Sequence, residues 1–160
     1  MRILYLSFYF EPDLGPAAIR NSLIANELAN DDAVFEIHVI TTMPQQWRDG
    51  FIHSASGSKK LKISRVEADS KYKGILGQIF RFYKYQKFVR KSCRSQNYDL
   101  VFATSSKLGT ALLGALLSKK LKAYYYLDIR DLFIETIDDF LPGGIFKPVK
   151  FILSGLNRYS

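Results

Sequence analysis

The chain has 160 residues, 48% of them hydrophobic and 14% aromatic, which excludes a disordered or fibrous polymer and allows one domain with a real core and no covalent staples. Its single cysteine, Cys93, cannot close an internal disulfide and has no His/Cys cluster beside it, so a thiolate metal site is not expected and a reducing, cytosolic setting is. The net charge of +8 is concentrated in one place: residues 59–94 hold 12 Lys/Arg against 2 acids, whereas residues 1–58 hold 3 against 7 and residues 95–160 hold 8 against 6. Such a field attracts anionic partners such as phospholipid headgroups, nucleic acid or a phosphorylated substrate, without choosing among them.

Ile3, Leu4, Tyr5, Leu6 and Phe8 form a nearly continuous apolar run, the form a parallel strand takes when helices cover both its faces. The run is too short to span a membrane and no small-residue cleavage site follows it, so neither a transmembrane helix nor a signal peptide is expected. Pro12, Gly15 and Pro16 stop the strand, and Pro16 suits a first helical turn, where a missing N–H has no intrahelical partner to lose. The helix predicted from Ala17 carries Ile19, Leu23, Ile24 and Leu28 toward the sheet, with Arg20, Asn21, Asn26 and Asn30 largely opposite. Residues 34–41 alternate as a second strand, residues 45–58 form a surface loop, and Leu61, Ile63 and Val66 mark a third strand. Residues 74–95 turn helical. Asn97-Tyr98-Asp99 then leads into a fourth strand at 100–103, after which Thr104, Ser105 and Ser106 offer N-cap hydroxyls. A helix over 108–121 follows, whose Gly109, Ala111, Gly114 and Ala115 would let it lie close on the sheet. Residues 123–129 complete a fifth strand, and residues 146–159 a last helical pattern. The alternation predicts an α/β, doubly wound, mostly parallel Rossmann-like sheet with helices on both faces, as a single domain over 1–160. Its working loops lie at the carboxyl ends of the strands.

Two of those ends carry chemistry. The first loop lacks G-x-G-x-x-G and the second strand ends in Thr41-Thr42 rather than an acid, which argues against the usual nicotinamide or flavin site; no G-K-[ST] occurs either. Gly15 has two readings: a residue without Cβ that lets a phosphate approach a helix N-terminus, or an ordinary turn glycine. The stretch LDIRDLFIE places Asp128, Arg130, Asp131 and Glu135 where a buried strand opens into the crevice, with Ser105, Ser106 and Lys107 on the same rim. It is a ligand site with a guanidinium fork in Arg130, or an ion-pair set that caps the strand end. In residues 74–94, Arg81, Lys84, Lys87, Lys91 and Arg94 recur at helical spacing, with Ile75, Ile79, Phe82, Tyr83 and Val89 broadly on another face. That is a solvated outer face, a membrane-surface helix in which each cation near an anionic leaflet contributes about 1 kcal/mol, or, with no recognition motif to support it, a nucleic-acid surface. His38 and His53 are isolated and are assigned no catalytic or metal role.

MRILYLSFYFEPDLGPAAIRNSLIANELA, then VFEIHVITTMP, then YYYLDIRDLFIET resembles the amino-terminal half of the family 4 retaining glycosyltransferases, which have the GT-B fold. The resemblance implies an acceptor-side domain, a nucleoside-diphosphate sugar as donor held mainly by a second domain outside these residues, and no metal or other cofactor. It implies that Gly15 and Pro16 reach the donor diphosphate, although many members of the family have Gly-Gly where this chain has Gly15-Pro16. Arg20 matches the family's arginine on the first helix. Arg130 and Asp131 match the catalytic pair after the fifth strand, where many members carry histidine at the Arg130 position; an arginine there cannot serve as a base and implies charge stabilisation. The chain ends inside a helical pattern at Asn157-Arg158-Tyr159-Ser160, so the 160 residues alone are expected to fold without catalysing. A bacterial enzyme of cell-surface polysaccharide assembly, peripheral on the cytoplasmic membrane face and acting on a saccharide or lipid-linked acceptor, is the resulting expectation. The alternative is a non-catalytic basic α/β module for nucleic acid or an acidic partner.

Overall fold

Five short apolar runs separated by amphipathic ones assemble into a single parallel sheet. In the computed structural model, which describes residues 1–44, 58–67, 74–105 and 108–129, the order is β1 (Arg2–Leu6), α1 (Pro16–Asn30), β2 (Glu36–Thr42), β3 (Leu61–Val66), α2 (Gly74–Ser92), β4 (Leu100–Thr104), α3 (Leu108–Leu121) and β5 (Tyr124–Asp128). All of these belong to one compact unit, Met1–Arg130. The strands lie in the order β3-β2-β1-β4-β5 and every pairing is parallel, with Ile3 beside Ile37 on one side and Leu100 on the other. The expected α/β sheet with helices on both faces is what the chain forms. The loop expected at 45–58 and the helical pattern at 146–159 lie outside the described residues, apart from Ser58.

Alternation along β1 divides the core. Leu4 and Leu6 join Ile40, Val101 and Ala103 on one face, beneath Tyr85 and Val89 of α2 and Leu113 and Leu117 of α3. Ile3 and Tyr5 join Ile37, Val39 and Phe102 on the other, beneath Ala25 and Ala29 of α1. Burial of each large side chain contributes roughly 1.5–3 kcal/mol, so β1, buried on both faces, is the mechanical centre of the sheet. Tyr5, Phe102 and the exposed Tyr126 stack in a row across β1, β4 and β5, with centroids 4.5 and 4.9 Å apart.

Two helix faces differ from expectation. The face of α1 that packs on the sheet is Ala18, Asn21, Ser22, Ala25 and Ala29, whereas Ile19 and Leu23 are exposed. Small side chains allow the helix axis to approach, and the larger ones are displaced to its rims. On α2 the five apolar residues expected on one face are divided: Phe82 and Val89 turn inward, whereas Ile79 and Tyr83 are exposed; the side chain of Ile75 lies outside the described residues. The close packing expected of α3 is real at Gly114, where a Cβ would stand 2.8 Å from the Ala103 Cβ and 2.9 Å from the Tyr125 ring. Gly109 serves a different neighbour: its missing Cβ makes room for the Phe82 ring of α2, at 2.5 Å.

Candidate functional site

The strand order reverses beside β1. From β1 the chain crosses to β2 over one face of the sheet, and β4, its other neighbour, leads into α3 on the opposite face. The loops leaving the carboxyl ends of β1 and β4 therefore diverge and leave a crevice, the position at which open α/β sheets bind ligands.

The first wall of the crevice is the segment from Ser7 to Gly15, and it is held by side chains from three elements. Asn21 of α1, fully buried, donates through Nδ2 to the Ser7 hydroxyl at 2.6 Å and to the Tyr9 carbonyl at 2.9 Å. The Ser22 hydroxyl accepts the Glu11 N–H at 3.1 Å. From β2, Thr42 donates to the Phe8 carbonyl at 2.7 Å, and from β3 the Arg65 guanidinium donates to the Glu11 carbonyl at 2.6 Å. Burial holds the Arg65 guanidinium below its ordinary value, while the charges of Asp13 and Glu11 oppose that shift. On the other sheet face the Tyr85 hydroxyl donates to the Ile40 carbonyl at 2.8 Å, and burial raises its pKa strongly, keeping the phenol neutral. A loop with this many fixed carbonyls is preorganised, each bond contributing about 1 kcal/mol net.

Where that loop enters α1, Pro16 occupies the first helical position, as expected. The Gly15 carbonyl accepts from the N–H groups of Ala18 at 2.9 Å and Ile19 at 3.1 Å. Gly15 itself is extended, with φ −71° and ψ 149°, and a Cβ added there would meet nothing within 4 Å. The backbone thus does not require glycine at this position. The open space belongs to a hollow of about 440 Å³ lined by Tyr9 and the run from Asp13 to Ala18.

Arg20, four residues past Pro16 and about 6 Å further along the helix axis, reaches across to the end of β5. Its guanidinium lies 2.7 Å from Oδ1 of Asp128, with the arginine side chain 51% exposed and the aspartate 11%. The other carboxylate oxygen, Oδ2, is buried and has no hydrogen-bond partner among the described residues. Ser105, buried at the end of β4, donates its N–H to the Asp128 carbonyl at 2.9 Å. Two of the expected site residues, Arg20 and Asp128, are therefore in direct contact, Ser105 is tied to the second of them, and Gly15 and Pro16 stand at the head of the helix that carries the first. Ser106, Lys107, Arg130, Asp131 and Glu135 lie outside the described residues.

The expected basic residues of α2 are on the other side of the sheet from α1. Lys87, Lys91 and Arg94 are exposed, Arg81 and Lys84 partly so, and the Lys84 ammonium lies 5.3 Å from the centre of the Phe80 ring. His38 is buried between the hydroxyls of Tyr98 at 2.6 Å and Ser64 at 2.8 Å. Among the described residues no group of three or more His, Cys, Asp or Glu is placed to hold a metal, and no helix is long and apolar enough to cross a membrane.

The residues that shape the first wall, Asn21, Ser22, Thr42 and Arg65, carry no motif. The available signal for the first two was the spacing Ala18, Asn21, Ser22, Ala25, Ala29, a stripe of small residues in which an asparagine and a serine replace alanine. Compared with known proteins, the chain matches no family model and no curated protein.

Proposed function

We propose that this chain is the acceptor-side domain of a retaining glycosyltransferase of the GT-B type. The enzyme would transfer a sugar from a nucleoside diphosphate to an acceptor hydroxyl in cell-surface polysaccharide assembly. The observation that carries the proposal is the Arg20–Asp128 pair at the carboxyl edge of the sheet, with one buried carboxylate oxygen that has no hydrogen-bond partner among the described residues. A buried acceptor without a partner favours a ligand that brings a donor, and sugar hydroxyls are donors in quantity. Arg20 beside it supplies positive charge for a phosphate, and the open flank of Gly15 leaves room for the ligand at the head of α1. The resemblance of MRILYLSFYFEPDLGPAAIR and YYYLDIRDLFIET supports the same assignment. By that resemblance the nucleotide sugar is held mainly by a second domain, and Arg130 and Asp131 act at the reacting centre without a metal.

The proposed setting is the cytoplasmic face of the membrane, where lipid-linked acceptors present their saccharides. The test is transfer from radiolabelled UDP- and GDP-hexoses to a membrane lipid extract. A protein joining this chain to a donor-binding domain is expected to label the extract, and its Arg20→Ala variant to do so at least tenfold more slowly. The 160 residues alone are expected to give no transfer. Transfer by these residues alone, or none by the joined protein with any donor, would overturn the proposal.

A further inference from the structure

The outward face of α2 is divided along its length. Its inward side carries Phe82, Tyr85 and Val89 in the core. On the outside, the first turns present Leu76, Ile79, Phe80 and Tyr83, which are 69%, 61%, 40% and 59% exposed at the i, i+3, i+4, i+7 spacing of a single stripe. The later turns present Lys84, Lys87, Arg90 and Lys91, with Arg94 just beyond the helix, and Gly74–Ser92 contains no acidic residue. These zones also differ in their place on the fold. The Tyr85 hydroxyl meets the carbonyl of Ile40, near the carboxyl end of β2, and lies 3.4 Å from that of Ser7, just past the end of β1. With a rise of 1.5 Å per residue, Leu76 stands about 13 Å further along the axis. The apolar zone therefore overhangs the edge of the sheet that carries Arg20 and Asp128, and the basic zone runs back toward the amino edge.

Exposed apolar side chains continuous with cations, with no acid on the helix, fit a partner that is apolar at one depth and anionic at the next. A nucleic acid would engage the cations and leave Leu76 and Ile79 in water; a bilayer with anionic headgroups engages both zones. We infer that α2 docks the protein on an anionic lipid surface. Leu76, Ile79, Phe80 and Tyr83 enter the boundary between headgroups and acyl chains, while Lys84, Lys87, Arg90 and Lys91 lie over the phosphates. The carboxyl edge of the sheet then faces the membrane and its crevice opens beside the lipid surface. The inference gives the membrane-face setting its contact residues and rests on that reading.

Sedimentation of the 160-residue chain with vesicles of equal parts phosphatidylcholine and phosphatidylglycerol tests it, with pure phosphatidylcholine vesicles alongside. The chain is expected to sediment with the anionic vesicles only. The double variant Lys87→Gln, Lys91→Gln should bind roughly thirtyfold more weakly, from two lost headgroup attractions of about 1 kcal/mol each. Leu76→Ser with Ile79→Ser, which leaves the charge unchanged, should lose binding at both low and high salt, with the helical circular dichroism and melting temperature of the parent. Absence of binding by the parent overturns the inference. So does unchanged binding by the Leu76, Ile79 variant, which would leave only a charge attraction, or a concentration-dependent dimer that the same variant abolishes, which would assign the stripe to a second copy. Tighter, salt-sensitive retention on single-stranded RNA than on vesicles would also overturn it. The assay contains no sugar donor or acceptor, so failed docking leaves sugar transfer to be decided by its own assay, and failed transfer with intact docking removes the enzyme reading alone.

Discussion

Gly114 and Gly15 stand in opposite surroundings. At Gly114 a Cβ would sit 2.8 Å from Ala103 and 2.9 Å from Tyr125, and a backbone-borne atom between a helix and a sheet cannot rotate away. Gly114→Ala gains about 1 kcal/mol of helix propensity and costs about 1–3 kcal/mol in overpacking, so a net loss of stability is expected in urea melts. Gly15→Ala is expected to leave stability within about 0.5 kcal/mol, since the backbone is extended and the space is open. Under the proposed function its effect would fall on ligand binding instead. Asn21→Ala should lower stability by about 2 kcal/mol in the same melts, because it strips the buried Ser7 hydroxyl and the Tyr9 carbonyl of a donor. His38 gives a pH dependence. Its pKa is lowered from 6.5 first by burial, then by the charge of Lys62, against a smaller opposing effect of Glu36. On acidification the unfolded chain takes this proton before the folded one, so the stability that neutral His38 contributes is intact above pH 6.5 and is lost as the pH falls below it. Urea melts above pH 6.5 and a unit below it should show that slope, and His38→Gln should flatten it.

At the scale of elements, the strands and the parallel order were legible because a strand buried on both faces must be apolar along its length, as Ile3 to Leu6 and Val101 to Ala103 are. The helix faces were less so. Periodicity weighted by large apolar residues pointed to Ile19 and Leu23, whereas close approach to a sheet selects for small volume and chose Ala18, Ala25 and Ala29. Asn21 was placed on the wrong side for a related reason: its buried position is stabilised by partners on a loop, which no spacing within the helix reveals. The meeting of Arg20 with Asp128, 108 positions apart in the chain, was foreseeable only as two residues on one edge, since contact between them depends on the tilt of α1. As a half-exposed ion pair it contributes little to the fold, and Arg20→Ala is expected to shift stability by less than about 1 kcal/mol. A loss of sugar transfer with unchanged melting would then separate its role toward ligand from any structural one.

At the scale of the whole sheet, α1 with its polar wall lies on one face and α2 and α3 on the other. The positive excess sits almost entirely in residues 59–94, which include α2, so under the proposed docking this segment would be drawn toward an anionic surface before contact. Cys93, the chain's sole thiol, is packed just past the end of α2 against the core shared by β1, β4 and α3, and burial raises its pKa to about 11. A group so placed is a natural clock. Disulfide reagents attack through the thiolate, so labelling must wait for the α2 layer to lift from the sheet. In native buffer the labelling rate should be far below that of the denatured chain and should rise with urea along the global unfolding free energy. A rate that rises before the sheet melts would mark α2 as a part that opens on its own, and would time that opening without any introduced probe.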